Sequence, residues 1–233
     1  MKNTIKYLIL LIIYLVCGVN LQAQNYTFRN VVMSDGLSGL LVNAIYKDSE
    51  GFVWLGTDNC LDRFDGVKVR HYEFRGVDSG RKKRVNCITE TADNQLWVGN
   101  GIGLWRLNRA NGQLERIVPE KIDFAVNTLL PDGDILYIGT EKGLFIQKDG
   151  QLLQVLTDRN MLAACNRIMD LCLNEDKSAL WLATVQGLFS YSLKDGKIDS
   201  WHFQENVPEA DYFRCLTRIG ETLYLGTMSQ GVV

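Results

Sequence analysis

The sequence has little of what most catalytic and metal centres are built from. It contains only two histidines, His71 and His202, and none of its six cysteines belongs to a C-x-x-C pair. The G-x-S-x-G pattern of serine hydrolases and the G-x-G-x-x-G pattern of dinucleotide sites are absent too. These absences disfavour a zinc site, a disulfide framework, nucleophilic catalysis and nucleotide binding, so no cofactor is expected.

An excess of positive charge is also missing. The chain carries 25 basic and 27 acidic residues. Residues 1–23 contribute two lysines and no acidic residue, so the remainder is more acidic still. Neither nucleic acid nor an anionic membrane surface is therefore expected as a partner. The one basic cluster, Arg81–Arg84, is expected in a solvated loop, with a rim role toward an acidic sugar as the alternative.

No apolar run is long enough to span a membrane, which needs about 20 residues. The longest run, Tyr7–Cys17, follows two lysines and precedes the small residue Ala23, which is typical of a secretory signal peptide. We therefore assign residues 1–23 to a signal peptide and the rest to the periplasm, without a membrane span.

Five cysteines follow this segment, an odd number that suggests no disulfide framework. Free cysteines are among the most buried residues in proteins, so these are expected in the core. They are Cys60, Cys87, Cys165, Cys172 and Cys215.

Three further clusters are better explained as turns. The stretch Gly99–Gly103 lacks the spacing of a nucleotide site. The acidic pairs Asp48/Glu50 and Asp132/Asp134 supply fewer oxygen ligands than calcium requires. No metal site is predicted at any of them.

What the sequence does contain is an internal repeat. The aromatic residues Trp54, Trp97, Tyr137, Trp181 and Tyr224 mark five similar segments and lie 43, 40, 44 and 43 residues apart. Each segment consists of short apolar runs divided by Asp, Asn and Gly, without the apolar period of a helix. This pattern is typical of β-propeller blades with four antiparallel strands. An all-β fold is predicted, in the form of an incomplete β-propeller.

The repeat divides residues 24–233 into about five blades. Their predicted bounds are 42–83, 84–124, 125–165, 166–212 and 213–233, the last of them truncated. Asp48 with Gly51, and Asp93 with Asn94, predict the turn between the first two strands. Two-residue hairpins are predicted after the third strand, at Asp65-Gly66, Asn111-Gly112, Asp149-Gly150 and Asp195-Gly196.

The second strand of each repeat is apolar on both faces, as in Phe52–Gly56. Successive side chains of a strand point to opposite faces, so both faces must be covered by neighbouring blades. This places the five repeat aromatics in the core. Trp201 falls outside their register and is a surface candidate.

Candidate ligand-binding residues follow from the blade geometry. The connections from second to third strand and from fourth strand to the next first strand meet at one end of a blade, here called the rim. Propeller ligands often bind there, which gives Asp58, Asn59, Arg84, Asn100, Glu141 and Gln186 as candidates. His71 and His202, each on an expected outermost strand, form no metal signature, and no catalytic residue is predicted.

Several stretches resemble a known family. They are Phe28, Asp35–Ser38, Val42–Ile45, Asp48–Thr57 and Leu61–Gly66. In this order they closely resemble the start of two-component regulator propellers. Cys60 departs from the family pattern, which usually has glycine there, and this implies an altered turn at residues 58–60.

The resemblance implies the periplasmic sensor region of a hybrid two-component system, with many more repeats, a membrane helix and a cytoplasmic histidine kinase. It favours an N-terminal piece of such a sensor, which recognises an oligosaccharide or another small periplasmic ligand and transmits a signal. A propeller enzyme, such as a lyase or a glycoside-cleaving enzyme, and a structural protein-interaction repeat are the alternatives.

Ring closure has a consequence for stability. Propellers commonly pair an N-terminal strand with the last blade, and residues 26–32 are predicted to be that strand. Its partner blade is missing, so the chain alone is expected to be open-edged, and marginally stable or prone to aggregate. The missing remainder of the propeller and a second protomer are the expected protein partners.

Overall fold

The structure is a computed structural model that describes residues 5, 7, 30–77, 83–117, 120–156, 167–201 and 212–233. The chain forms two units, residues 1–31 and 32–233, and the second is described below. None of the described helices combines the length and the apolar character that a transmembrane span needs. Most of the predicted signal peptide lies outside the described residues, as do Phe28, Arg81, Lys82, Cys165 and His202.

Among the described residues, four sheets contain four strands each and a fifth contains two. Sheet 1 consists of β1 (Val42–Lys47), β2 (Val53–Thr57), β3 (Leu61–Phe64) and β4 (Val69–Tyr72). Sheet 2 consists of β5 (Val85–Glu90), β6 (Leu96–Asn100), β7 (Gly103–Asn108) and β8 (Gln113–Ile117). Sheet 3 consists of β9 (Val126–Asp132), β10 (Ile135–Thr140), β11 (Gly143–Lys148) and β12 (Gln151–Gln154).

Sheet 4 consists of β13 (Ile168–Leu173), β14 (Ala179–Thr184), β15 (Gly187–Ser192) and β16 (Ile198–Trp201). Sheet 5 consists of β17 (Phe213–Ile219) and β18 (Thr222–Thr227). Within each sheet, every strand pairs antiparallel with the next in sequence, and a 3-10 helix at Met33–Asp35 precedes β1. The predicted all-β fold of four-stranded propeller blades is confirmed. Residues 30–32, the described part of the predicted closing strand, are not in a strand.

The first strands of neighbouring sheets contact one another in sequence order, from β1 through β5, β9 and β13 to β17. A separate apolar cluster fills each gap between sheets. Trp54 lies between sheets 1 and 2, Trp97 between sheets 2 and 3, and Tyr137 between sheets 3 and 4. All five residues of β6 are buried, as expected for a strand covered on both faces. The core is therefore a series of layers between sheets.

The prediction that all five repeat aromatics are buried is wrong for Tyr224 and only partly met by Trp181, which packs against the apolar cluster between sheets 4 and 5. Trp54 is fully buried and Trp97 and Tyr137 nearly so, but Trp181 is only partly buried and Tyr224 is 40% exposed. Each aromatic points toward the following sheet. Trp181 meets the two-stranded sheet 5, and no described sheet follows Tyr224. The repeat aromatic is therefore buried only where a complete sheet follows its own sheet.

The predicted two-residue hairpin forms only at Asp149-Gly150, where both residues have positive φ. The other three connections are longer and span residues 65–68, 109–112 and 193–197. At the first of these, only Gly66 has positive φ, and the Asp65 side chain accepts hydrogen bonds from the backbone N–H groups of Val67 and Lys68. A side-chain-capped loop replaces the tight turn there.

Cysteine burial also differs from the prediction. Cys60 is buried and Cys87 and Cys172 are partly buried, but Cys215 is exposed. Cys215 occupies in sheet 5 the position that Cys87 has in sheet 2, where the following sheet covers it. Without a described sheet beyond sheet 5, Cys215 has no such cover.

Charged side chains join sheets 1 and 2 at the end opposite the rim. Arg109 contacts Glu90 at 2.8 Å and Glu50 at 3.0 Å, and lies 3.9 Å from the buried carboxylate of Asp48. The backbone N–H and the hydroxyl of Ser49 donate to Glu90. This network fixes the first turn of sheet 1 against sheet 2.

Candidate functional site

The first strand of every sheet has a bulge near its start. In β1, Val42 pairs with Thr57 and Ala44 with Gly56, so Asn43 has no partner on β2. The same register shift occurs in β5, β9, β13 and β17. The five bulge residues are Asn43, Asn86, Asn127, Met169 and Arg214. An extra residue of this kind redirects a side chain out of the regular alternation.

All five bulge residues line one cavity at the rim, together with Arg84 and Arg167. We call this cavity the inner-strand pocket. Its volume is about 290 Å³, near the lower end of the range of about 300–1,000 Å³ for small-molecule sites. Of its seven lining residues, only Met169 is apolar. The pocket is therefore suited to a polar ligand.

The three arginines of the inner-strand pocket are exposed, and two of them are only loosely paired with a carboxylate. Nε of Arg84 lies 4.0 Å from Asp58, and Nη2 of Arg167 lies 3.6 Å from Glu141. Both separations exceed a charge-assisted hydrogen bond, which is about 2.7–2.9 Å. The guanidinium groups can therefore turn toward a ligand at little cost.

Two of the three asparagines of the pocket are held in place by the backbone of the next sheet, and the third by a carboxylate of its own sheet. Nδ2 of Asn86 donates to the carbonyl of Val126 at 2.9 Å, and Nδ2 of Asn127 donates to that of Ile168 at 2.9 Å. Nδ2 of Asn43 donates to Asp58. With Nδ2 fixed in this way, the amide groups are oriented before any ligand arrives.

A largely buried carboxylate lies next to the pocket and joins three sheets. Asp170, which follows the bulge residue Met169, accepts hydrogen bonds from the hydroxyl of Thr128 and from the backbone N–H of Leu216. Burial raises the pKa of Asp170, although these hydrogen bonds oppose the shift. Because Thr128 is in sheet 3 and Leu216 in sheet 5, Asp170 couples the inner strands directly beside the pocket.

The predicted rim residues fall into separate groups. Arg84 lines the pocket, and Asp58 and Glu141 are the acidic neighbours of its arginines. Asn59 donates from Nδ2 to the carbonyl of Ser38, and Gln186 donates its backbone N–H to Thr184 in the β14–β15 turn. A ligand-binding role for these five residues stays a prediction.

Asn100 is not exposed at the rim surface, and a ligand-binding role for it stays a prediction. It is fully buried, and its Oδ1 accepts hydrogen bonds from the backbone N–H of Ile102 and from Nε1 of Trp105. Its position at the end of β6 made it look like a rim residue. The structure shows that it organises the Gly99–Gly103 turn, which is a blade turn as predicted.

Two groups of residues were missed by the sequence reasoning. For three of the bulge residues the sequence did contain a signal, the repeated Val-Asn pair at Val42–Asn43, Val85–Asn86 and Val126–Asn127. The same polar residue recurs at the start of these three first strands, where strand pairing alone does not require an asparagine. Cys60, Asp62 and His71 also lie together, with possible ligand atoms within 4.8 Å of one another, although no metal signature was predicted. Burial above all, with the charges of Asp62 and Glu73 adding to it, raises the pKa of the Cys60 thiol to about 12.

A larger cavity of about 500 Å³ lies at the opposite end, between sheets 4 and 5. Its wall includes Glu175, Trp181 and Arg218. One side of it is formed by the two-stranded sheet 5 alone. Unlike the inner-strand pocket, it does not draw on an equivalent position in every sheet.

Residues 36–59 match the family described as the two component regulator propeller. Over 79 residues, which are 34% of this chain, the sequence is 32% identical to histidine kinase P4 of Formosa agariphila. That stretch corresponds to 6% of the kinase, so this chain spans a small part of its relative.

Solved propeller structures share the fold. One is described as the extracellular domain of the hybrid two component system BT4673 from B. thetaiotaomicron, with 25% identity and a TM-score of 0.67 over 82% of this chain and 26% of that one. The corresponding domain of BT3049 has 21% identity and a TM-score of 0.71, over 88% and 30% of the two chains. Virginiamycin B lyase from Staphylococcus aureus, at 16% identity and a TM-score of 0.63 over 82% and 68%, resembles this chain in fold alone. The repeat, the stacked four-stranded sheets and the match at residues 36–59 confirm that the chain resembles two-component regulator propellers.

Proposed function

We propose that this chain is part of the periplasmic ligand-sensing region of a hybrid two-component sensor kinase, and that it binds an oligosaccharide in the inner-strand pocket. The observation that carries the proposal is that one bulge position, repeated in all five sheets, supplies five of the seven residues of a polar pocket. Because every sheet contributes a residue to this site, a bound ligand can alter the contacts between all of the sheets.

The chemistry of the pocket fits a saccharide. Sugar hydroxyls donate and accept hydrogen bonds, which suits amide side chains, and guanidinium groups donate to hydroxyls or pair with carboxylates. Three arginines within one small pocket favour a saccharide that carries a uronic acid. The loose pairs with Asp58 and Glu141 leave the guanidinium groups of Arg84 and Arg167 available.

Signal transmission would use the contacts between inner strands. Asn86 and Asn127 in the pocket wall donate hydrogen bonds to the next sheet, and Asp170 beside the pocket accepts hydrogen bonds from sheets 3 and 5. A movement of the pocket wall would therefore change the contacts between sheets. A ligand that prefers one spacing of the inner strands shifts the population toward it. No reaction of the ligand is needed.

The enzyme alternative receives less support. Within the described residues, the only histidine is His71, which is bonded to Asp62 on the outer strands of sheet 1 and does not line the inner-strand pocket. The resemblance to virginiamycin B lyase extends to the fold and not to an active site, because it rests on 16% identity.

The proposal is tested by calorimetric titration of the protein with a panel of neutral and uronate-bearing oligosaccharides. We expect saturable binding of at least one uronate-bearing member, with the saccharide recovered uncleaved. Arg167→Ala and Asn86→Ala should each weaken this binding by about 10-fold or more, since a hydrogen bond to a charged group contributes about 1.5–3 kcal/mol.

Arg106→Ala is the matched control, because Arg106 is similarly exposed but lies on β7 and pairs with Glu115. Its affinity should equal that of the unmodified protein. Absence of binding across the panel, binding that both pocket variants retain, or cleavage of the saccharide would each refute the proposal.

A further inference from the structure

Three metal-ligating side chains meet on the outer strands of sheet 1. Cys60 immediately precedes β3, Asp62 is in β3, and His71 is directly opposite Asp62 on β4. Sγ of Cys60 lies 3.3 Å from Oδ1 of Asp62, and Nδ1 of His71 lies 2.7 Å from the same oxygen. Asp62 is fully buried, whereas the His71 side chain is 46% exposed. The group therefore reaches from the interior of the sheet to solvent.

Sheets 2, 3 and 4, whose third and fourth strands are described, show that packing does not require these residues. These sheets have glycine at the position of Cys60 and a buried aromatic residue at the position of Asp62. At the position of His71, on the fourth strand, they have a residue that does not bind metal as histidine does. The glycines are Gly103, Gly143 and Gly187, the aromatics are Trp105, Phe145 and Phe189, and the opposite residues are Arg116, Gln154 and Ser200. Sheet 1 thus departs from the repeat at three positions, and all three departures meet at one point.

A buried carboxylate in place of an aromatic side chain is costly unless its partners compensate for lost hydration. Oδ2 of Asp62 accepts hydrogen bonds of 2.8 Å from both the backbone N–H and the hydroxyl of Ser38. The two bonds hold Oδ2 of Asp62, so that Oδ1 faces Cys60 and His71. Partners of this kind typically orient metal-binding carboxylates.

We propose that Cys60, Asp62 and His71 bind one divalent transition metal ion of the zinc class, through Sγ, Oδ1 and Nδ1. Sulfur, nitrogen and oxygen ligands together suit zinc, whose bonds are about 2.3 Å to sulfur and about 2.0–2.2 Å to nitrogen and oxygen. Because the three ligand atoms lie within 4.8 Å of one another, small side-chain shifts suffice to reach one ion.

Binding of the metal ion balances in both charge and protons. The Cys60 thiol releases its proton to solvent and becomes a thiolate. The proton that Nδ1 of His71 donates to Asp62 in the metal-free site is lost to solvent while Nε2 takes one up, so that neutral His71 can coordinate through Nδ1. A thiolate and a carboxylate together neutralise the 2+ charge of the ion. The fourth position of a tetrahedral site is left for water on the exposed side of His71.

This site is separate from the inner-strand pocket. The pocket is lined by residues at or just before the starts of first strands, whereas the metal ligands lie in, or directly before, the third and fourth strands of sheet 1. Its role would be to fasten β4 and the Ser38 segment to β3. The two proposals therefore stand or fall independently.

Cobalt(II) titration of the intact chain, followed by absorption spectroscopy, tests the site. We expect one Co²⁺ per chain, a thiolate-to-cobalt charge-transfer band and the d–d bands of tetrahedral coordination, all abolished by added Zn²⁺. Cys60→Ser should eliminate the charge-transfer band. His71→Ala, at an exposed position that leaves folding intact, should weaken binding beyond the roughly 10- to 100-fold loss typical of outer-shell changes.

Cys215→Ser and His202→Asn are the controls, because they remove an exposed cysteine and the other histidine of the sequence. Both should bind Co²⁺ as the unmodified chain does. A chain that binds no Co²⁺, a charge-transfer band that persists in Cys60→Ser, or unchanged affinity in His71→Ala would show that Asp62 is only a hydrogen-bonded buried carboxylate.

Discussion

Trp54→Ala is expected to lower the free energy of unfolding by about 3–5 kcal/mol, the range for truncating a large buried aromatic side chain. Trp54 is completely buried between sheets 1 and 2, and its ring centroid lies 5.1 Å from that of Tyr72. Its Nε1 also donates a 2.7 Å hydrogen bond to the buried carboxylate of Asp48. The variant therefore leaves both a cavity and a carboxylate with one donor fewer. Urea denaturation measures the effect.

Two further variants separate these contributions. Trp54→Phe keeps most of the ring but removes the donor to Asp48, so it should cost about 1–3 kcal/mol, the usual penalty for a buried acceptor that loses its partner. Trp201→Ala, at a side chain that is 50% exposed, should cost less than about 1 kcal/mol. Equal losses for Trp54→Ala and Trp201→Ala would contradict the layered packing of the sheets.

Gly99→Val is expected to destabilise the chain by about 3 kcal/mol or more, at the upper end for an overpacked core. A Cβ at Gly99 would lie 2.5 Å from Sγ of Cys87 and 2.6 Å from Cγ1 of Val126. Val126 belongs to the next sheet, so the added atoms push sheets 2 and 3 apart. Thermal denaturation by circular dichroism measures the loss.

Gly133→Ala provides the comparison for this variant. Gly133 has a φ of +60°, and a Cβ there would meet nothing within 4 Å. Its cost should be limited to the backbone strain of about 1–2 kcal/mol for a left-handed residue. If Gly99→Val is no worse than Gly133→Ala, the sheets are not in the close contact described here.

The architecture could be predicted because its determinants are local and repeated. Trp54, Trp97 and Tyr137 recur with the period of a blade, and each fills the gap to the next sheet. The same period wrongly predicted that Tyr224 is buried. The local sequence indicates which face of the strand a side chain is on, but not whether another sheet covers that face. Hairpin length was misjudged for a similar reason, since both residues of the turn must adopt positive φ and only Asp149-Gly150 does.

The candidate sites were harder to predict because they depend on register. The pocket exists because Asn43, Asn86 and Asn127 are bulge residues, and the bulge is defined only by the pairing of two strands. His71 meets Asp62 through the pairing of β3 with β4, nine residues away along the chain. Arg84 could be recognised as a rim residue because it immediately precedes a first strand.

A saccharide that binds at the starts of the inner strands should change how the sheets contact one another. Hydrogen exchange of backbone amides tests this most directly, measured with and without the uronate-bearing saccharide that binds in the titration. We predict increased protection at the starts of β5, β9, β13 and β17 and in the Leu216 N–H that bonds Asp170, with the outer strands β8 and β12 unchanged. Protection confined to outer strands, or to the turns at the end opposite the rim, would show that the saccharide does not bind at the inner strands.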